Sequence, residues 1–307
     1  MREISPDFVK SAKNIGHTPE GDRYELDDET VVLVYPYKVT IEEIEREKEN
    51  AKNAMRMGIS VPFSFNIIKI GDNYGIIYEK LPMQSLSDCI MDDPDHFDRY
   101  VADYVSLCHT HHSTHVGYEA FLPAKSVYES YGERMAQKGI FTREEVDSVG
   151  RMLAAIPDGD AFILTTLRPA SVRYYDGEPV VVYGMRSAYY GHPIIGLSGS
   201  AQMIYAAGNA GNDAACRGYN GLDCATALKF WKAFVARYFD CPSDEDAAAM
   251  LKHINFTWLL AFYTVPVIFR TADPAMYQRV QALCRKNFFP HIDEWIAGME
   301  DCWERFL

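Results

Sequence analysis

The sequence lacks the features that define several common protein classes. Its seven cysteines form no C-x-x-C pair and no paired spacing, which excludes a disulfide framework or zinc ribbon and predicts reduced thiols in a cytoplasmic protein. The stretch MREISPDFVK does not read as a secretory leader, because it carries Arg2, Asp7 and Lys10 where an apolar stretch would be expected. The most apolar uncharged run, Ile254 to Phe269, is interrupted by Asn255, Thr257, Thr264 and Pro266. It falls short of the roughly 18 residues of a membrane span and reads as a buried core helix. Basic residues are scarce too: 30 Lys and Arg against 43 Asp and Glu, a net charge of −13. Neither nucleic acid nor an anionic membrane is expected as a partner, since both select for clustered Lys and Arg. There is no internal repeat and no low-complexity tract.

What is present suits a large core. The chain has 307 residues, 48% of them hydrophobic and 13% aromatic, enough for one two-lobed unit or two domains. The first eighty residues read strand, strand, helix, strand, strand. Arg23–Leu26 and Thr30–Tyr35 flank an Asp27-Asp28 turn. Thr40 and Glu43 make a capping box for a helix running to Met57, which Gly58 stops. Phe65–Ile70 and Tyr74–Tyr78 form a hairpin around Gly71-Asp72-Asn73.

Beyond Leu81 the pattern is mainly helical. Asp93-Pro94 caps a helix carrying Phe97, Val101, Tyr104, Val105 and Cys108 at helical spacing. Thr142 with Glu145 forms a second capping box, with Phe141 and Val146 at staple spacing. Val172–Tyr174 and Val180–Tyr183, joined by Asp176-Gly177, give one isolated hairpin. Further helices carry Leu228, Trp231, Val235 and Tyr238, then Ile292, Trp295, Ile296, Met299 and Phe306. Gly196 to Gly221, rich in Gly, Ala, Ser and Asn, is the stretch expected to be mobile.

The predicted architecture is α+β: a small antiparallel β lobe with one helix (1–80), then a larger, mainly helical lobe (81–307), with a hinge near Tyr78 to Met83. The segment IPDGDAFILTTLRPASVRYYDGEPVVVYGMRSAYYGHPIIGLSG, residues 156–199, resembles the catalytic core of the aminoglycoside phosphotransferase and choline kinase-like superfamily, which has the protein-kinase-like fold and of which this chain would be a degenerate, pseudokinase-type member. There a strand leads into H-G-D-x-x-P-x-N, followed by a hairpin, a metal-binding Asp and a G-[HD]-P turn. Pro169 falls on the family proline, Asp176-Gly177 on the hairpin turn and Gly191-His192-Pro193 on the final turn. IEREKENAKNAMRMGISVP and GIIYEKL resemble the amino-lobe helix and the strand that enters the hinge.

This resemblance implies positions for the chemistry, and the residues on them depart from it. Phosphoryl transfer needs a carboxylate to take the hydroxyl proton, ligands for Mg²⁺, and a cation on the nucleotide phosphates. The base Asp falls on Thr166, the metal-binding Asn on Ser171, the metal-binding Asp on Gly184 and the phosphate-contacting Lys on Leu33. Glu47 stands where the helix glutamate would pair with that lysine, and is expected to lack its partner. Of the glycine-rich loop only Gly16 and Gly21 remain. Arg168 and Arg186 follow the two altered positions. They suggest a metal-independent site for an anion or small ligand, or a closed cleft in which they pair with Glu47 and Glu79; arginines pointing to water are the plain alternative.

The expected function is therefore a catalytically inactive binding or regulatory pseudokinase, without a cofactor, whose partner is an unidentified small molecule or protein, an anionic one included. Three readings compete. An active small-molecule phosphotransferase would need Mg-ATP and relocated groups such as Asp158, Asp160 or Asp176. A structural subunit would have a collapsed cleft. Or the chain is not kinase-like, and Pro169, Gly191 and Pro193 are ordinary turn residues. Tyr78 and Glu79, at the hinge, complete the ligand candidates. Cys108, His109, His111, His112 and His115 are the densest set of soft ligands, and Cys108, His112 and His115 could share a helix face and hold Zn²⁺ or Ni²⁺. Yet this stretch also resembles the family helix ending in Leu-x-x-x-His, whose histidine packs under the catalytic loop. Trp231, Phe234 and Tyr238 read as core, and Ser243 as the cap of an acidic helix start. The family binds its acceptor in the helical lobe, commonly on an acidic surface suited to cationic amines; residues 200–245 cover that region here.

Overall fold

A computed structural model describes the chain except residues 1, 19–20, 37–38, 82–83, 176–177, 182–183, 269–273 and 307. The turn at Asp176-Gly177 and its candidate carboxylate, the end of the hairpin at Val182-Tyr183, hinge residues Pro82 and Met83, and Phe269 lie outside the described residues.

The amino-terminal lobe is a six-stranded sheet in the order β1-β5-β6-β4-β3-β2. Its strands are β1 (Arg2–Ile4), β2 (Asn14–Thr18), β3 (Gly21–Glu25), β4 (Thr30–Val34), β5 (Ser64–Ile70) and β6 (Asn73–Glu79). Along β4 and the residue after it, Val31, Leu33 and Tyr35 pack with Ile44, Ile76 and Tyr78, while Val32 and Val34 pack on the opposite face with Tyr24, Ile68 and Ile77. A continuously apolar strand needs both faces covered. Helix α2 (Ile41–Arg56) covers the first. The second is met by Phe8 and Val9 of a short helix, α1 (Asp7–Ser11). The expected one-helix antiparallel lobe is corrected on both counts: α1 is a second helix, and β1 pairs parallel with β5. The capping box at α2 is as read, with Thr40 Oγ1 accepting from Glu43 N and Glu43 Oε2 accepting from Thr40 N.

The larger lobe begins with α3 (Leu86–Asp92), α4 (Phe97–His112), α5 (Ala124–Gln137) and α6 (Arg143–Ala155). Two small antiparallel sheets follow. Strands β7 (Ala161–Leu164) and β10 (Ala188–Gly191) form one, and β8 (Val172–Tyr175) with β9 (Glu178–Val181) forms the isolated hairpin. Then come α7 (Pro193–Ser200), a π-helical stretch at Ala201–Ala206, α8 (Ala207–Asn209), α9 (Asp213–Asn220), α10 (Cys224–Tyr238), α11 (Asp244–Phe256), α12 (Trp258–Tyr263), α13 (Val265–Ile268), α14 (Pro274–Asn287) and α15 (Ile292–Met299). One core runs through this lobe, and Ala51 and Ala54 of α2 belong to it. Trp231, Phe234 and Tyr238 are buried in it, and Ser243 caps α11 by accepting from Asp246 N.

Two expectations fail for physical reasons. The stretch 196–221 is folded into α7, the π-helical stretch, α8 and α9 rather than a loose connection. Its small residues serve close approach: a Cβ on Gly199 would lie 1.7 Å from the Thr165 carbonyl oxygen. The run from Ile254 is not one helix. It breaks at Thr257 and Thr264, whose hydroxyls donate to Ile254 O and Ala261 O at 2.7 Å, and Pro266 withholds an amide hydrogen just beyond. Among the described residues no helix is long and apolar enough to cross a membrane.

Candidate functional site

A cavity of about 180 Å³ lies between the lobes. The amino-terminal side contributes Pro36, Val39, Glu43 and Arg46. Thr165, Thr166, Gly184, Arg186 and Ser187 form part of its floor, with Arg134 and the tyrosines of α5 and β10 alongside. Helix α2 joins the two sides. Its buried Asn50 donates to Met185 O at 2.7 Å, and Asn53 donates to Ala120 O at 2.9 Å. One face of α2 therefore serves the sheet and another the floor turn.

The floor is built from strand ends. Pairing of β7 with β10 brings Thr165-Thr166, which follow β7, beside the turn 184–187 that precedes β10. Thr166 Oγ1 lies 2.6 Å from Ser187 Oγ, and Ser187 Oγ donates to Gly184 O at 2.6 Å. The three residues thus form a hydrogen-bonded chain in which Thr166 donates to Ser187 and Ser187 to Gly184. Gly184 has φ +112°, a backbone that disfavours any side chain, and a Cβ there would come 2.8 Å from Thr166 Oγ1. Ser171 is buried away from the cavity lining, its hydroxyl donating to Arg168 O at 2.8 Å and accepting from Arg168 N at 3.1 Å. These neutral groups do not suit Mg²⁺, which prefers carboxylate oxygens. Among the described residues no group of three or more His, Cys, Asp or Glu is placed to hold a metal ion.

On the amino-terminal side Leu33 is fully buried in the β4–α2 layer. Glu47 is buried too, and a phenol reaches it: Tyr78 Oη donates to its Oε1 at 3.2 Å. Tyr35 lies beside it, its phenol pushed well above the ordinary tyrosine range by burial and by the Glu47 charge. The Arg186 guanidinium stacks on Tyr35, 5.6 Å from the ring centroid.

The remaining candidates separate. Arg186 lines the cavity, whereas Arg168 is buried and sends Nη1 to Thr166 O at 3.1 Å, under the floor. Glu79 is not in the cavity lining; its Oε1 accepts from Phe63 N at 2.7 Å. Of the relocated carboxylates, Asp158 meets Lys125 Nζ at 2.7 Å and Asp160 meets His115 Nδ1 at 2.8 Å. The soft-ligand cluster is dispersed because α4 ends at His112, which puts His115 beyond the shared face. His112 Nδ1 pairs with Tyr238 Oη at 2.7 Å, and burial pushes the Cys108 thiol far up. His111 packs edge-on against Phe162 with its pKa pulled down to about 4 by burial.

Sequence reasoning missed several lining residues: Arg46 on α2, Arg134, Tyr128 and Tyr131 on α5, Tyr189 on β10 and Gln202 on the π-helical turn. Residues from four elements carry no shared sequence pattern, though the Arg46 position inside a recognisable helix was a usable signal.

No protein-family profile matches the chain, and no curated protein matches it in sequence. Solved structures do. The chain is similar to a thermostable mutant of aminoglycoside phosphotransferase APH(4)-Ia in its apo form, with TM-score 0.57 and 10% identity over 94% of this chain and 95% of that one. It is similar to APH(2")-IIa in its gentamicin complex, with TM-score 0.55 and 10% identity over 89% of this chain and 90% of that one. ADP-bound aminoglycoside phosphotransferase APH(2'')-Ib gives TM-score 0.54 and 10% identity over 97% of this chain and 96% of that one. The chain has the two-lobed, protein-kinase-like fold of the aminoglycoside phosphotransferases.

Proposed function

We propose that this protein is a catalytically inactive relative of the aminoglycoside phosphotransferases, a pseudokinase whose interlobe cleft binds a ligand instead of transferring a phosphoryl group. One observation carries the reading: the cavity floor, where the family's base and metal-binding aspartates are expected, is closed by the hydrogen-bonded chain of Thr166, Ser187 and Gly184. A threonine hydroxyl does not accept a proton near neutral pH, and among the described residues no carboxylate belongs to that floor to draw in Mg²⁺. Leu33 offers no cation to a nucleotide phosphate, and Glu47 is engaged by Tyr78.

The cleft itself remains open, which favours a binder over a purely structural subunit. An active phosphotransferase with relocated groups is the less supported alternative, since Asp158 and Asp160 are paired with Lys125 and His115 and are absent from the cavity lining. A radiolabelled assay with Mg-ATP, run alone and with gentamicin or hygromycin B as acceptor, tests the proposal. We expect no protein-dependent hydrolysis or transfer; turnover that follows the purified chain overturns it.

A further inference from the structure

The cleft is positively charged in a protein that is strongly negative overall. Among the described residues three guanidiniums line it, from Arg46, Arg134 and Arg186, against the single carboxylate of Glu43. A net charge of −13 gives the molecule no general attraction for anions, so this local reversal needs its own explanation. Arg186 is occupied with the Tyr35 ring. Arg46 and Arg134 are different: neither takes part in any ion pair or side-chain hydrogen bond among the described residues. They come from opposite lobes, Arg46 from α2 and Arg134 from the last turn of α5. The adjacent acid Glu133 does not neutralise Arg134, because it is committed to Arg143.

From this juxtaposition we infer that the cleft is a metal-independent receptor for a small oxyanion, a phosphate or carboxylate compound, bridged between Arg46 and Arg134. The inference rests on the preceding reading that the cleft binds and does not catalyse. Guanidinium is suited to it, offering paired N–H donors that match two oxygens of phosphate or carboxylate without an intervening metal. Tyr128, Tyr131 and Tyr189 form part of the wall, with aliphatic side chains such as Val39, Met203 and Val267 beside them. Burial raises the Tyr128 and Tyr189 phenols, so they stay protonated and neutral toward an anion. The same charge balance disfavours a polyamine, which would meet three like charges. Because the two arginines belong to different lobes, a bound anion would also tie the lobes together.

The test is calorimetry on the full chain in EDTA, using pyrophosphate and succinate as probes and spermine as the cationic control. Binding of one anion and not the other identifies phosphoryl or carboxylate as the recognised group. We expect saturable binding of at least one anion, weakened about tenfold or more by Arg46→Gln and by Arg134→Gln separately, and no binding of spermine. Neither substitution should shift the melting temperature materially, since neither side chain has an ion pair or hydrogen bond to lose among the described residues. The inference is overturned if neither anion binds, if both variants bind like the parent, if binding requires Mg²⁺, or if spermine binds more tightly. Phosphoryl transfer from Mg-ATP would sink the pseudokinase reading instead, and would leave an EDTA-resistant, arginine-dependent anion site standing.

Discussion

The two sides of the cleft settle their buried polar groups in opposite ways. The amino-terminal side keeps a buried carboxylate, Glu47, and supplies it with the Tyr78 phenol, with Tyr35 and Arg186 stacked alongside. The floor from the helical lobe has no carboxylate among Thr165, Thr166, Gly184, Arg186 and Ser187, and its hydroxyls close on one another. A buried acid is tolerated when donors reach it, and a hydroxyl turn is stable when it needs nothing from outside. On the reading proposed here, the first arrangement preserves the shape of a kinase-like cleft and the second removes its metal chemistry.

The largest effect on that contrast is expected from the floor. Gly199→Ala places a methyl 1.7 Å from the Thr165 carbonyl, so α7 must lift from the strand end that carries Thr166. A cost of about 3 kcal/mol in urea unfolding is expected for such overpacking against backbone; a loss well below 1 kcal/mol would show that α7 does not pin the floor.

Next comes acid sensitivity beneath the same floor. His111 packs under β7 on Phe162, with neither ring nitrogen hydrogen-bonded among the described residues. Its pKa is about 4 when folded against the ordinary 6.5. Between those values the unfolded chain binds the proton and the folded chain does not, so stability is full above pH 6.5 and falls as the pH drops toward 4. His192, also pulled down to about 4, acts in the same direction. The His111 share reaches about 2 kcal/mol by pH 5. Comparing urea midpoints at pH 7.5 and 5.0 for the chain and for His111→Phe should show the variant losing less by roughly that amount, and equal losses would contradict the assignment.

The smallest effect belongs to the amino-terminal side. Tyr78→Phe deletes the hydroxyl that reaches Glu47 and should cost about 1 kcal/mol, read as a lower melting temperature. An unchanged melt would mean that Glu47 is satisfied without it.

Elements with local signals were legible in the sequence. The Thr40–Glu43 and Thr142–Glu145 capping boxes mark helix starts that the structure reproduces. Leu86–Asp92 carries a weaker local signal: Ser85 and Asp88 make the same reciprocal cap, but the shorter aspartate departs from the Ser/Thr-x-x-Glu/Gln pattern. The stretch 196–221 was misread because glycine and alanine serve both loose loops and tight packing, and only the carbonyl of Thr165 beside Gly199 distinguishes the two. Helix α1 follows from the unbroken apolar run of β4, which needs a second cover, yet nothing local says which segment supplies it. The cleft shows the same limit. Thr166, Gly184 and Arg186 could be placed by motif, whereas Arg46 and Arg134 meet only through the fold.

Calorimetric titration of ATP into the chain, first in EDTA and then with excess Mg²⁺, tests the central claim most directly. If the Thr166–Ser187–Gly184 floor offers no metal site, magnesium leaves ATP affinity unchanged or lowers it by masking phosphate charge. An affinity that rises tenfold or more with magnesium would contradict that floor and restore the phosphotransferase reading.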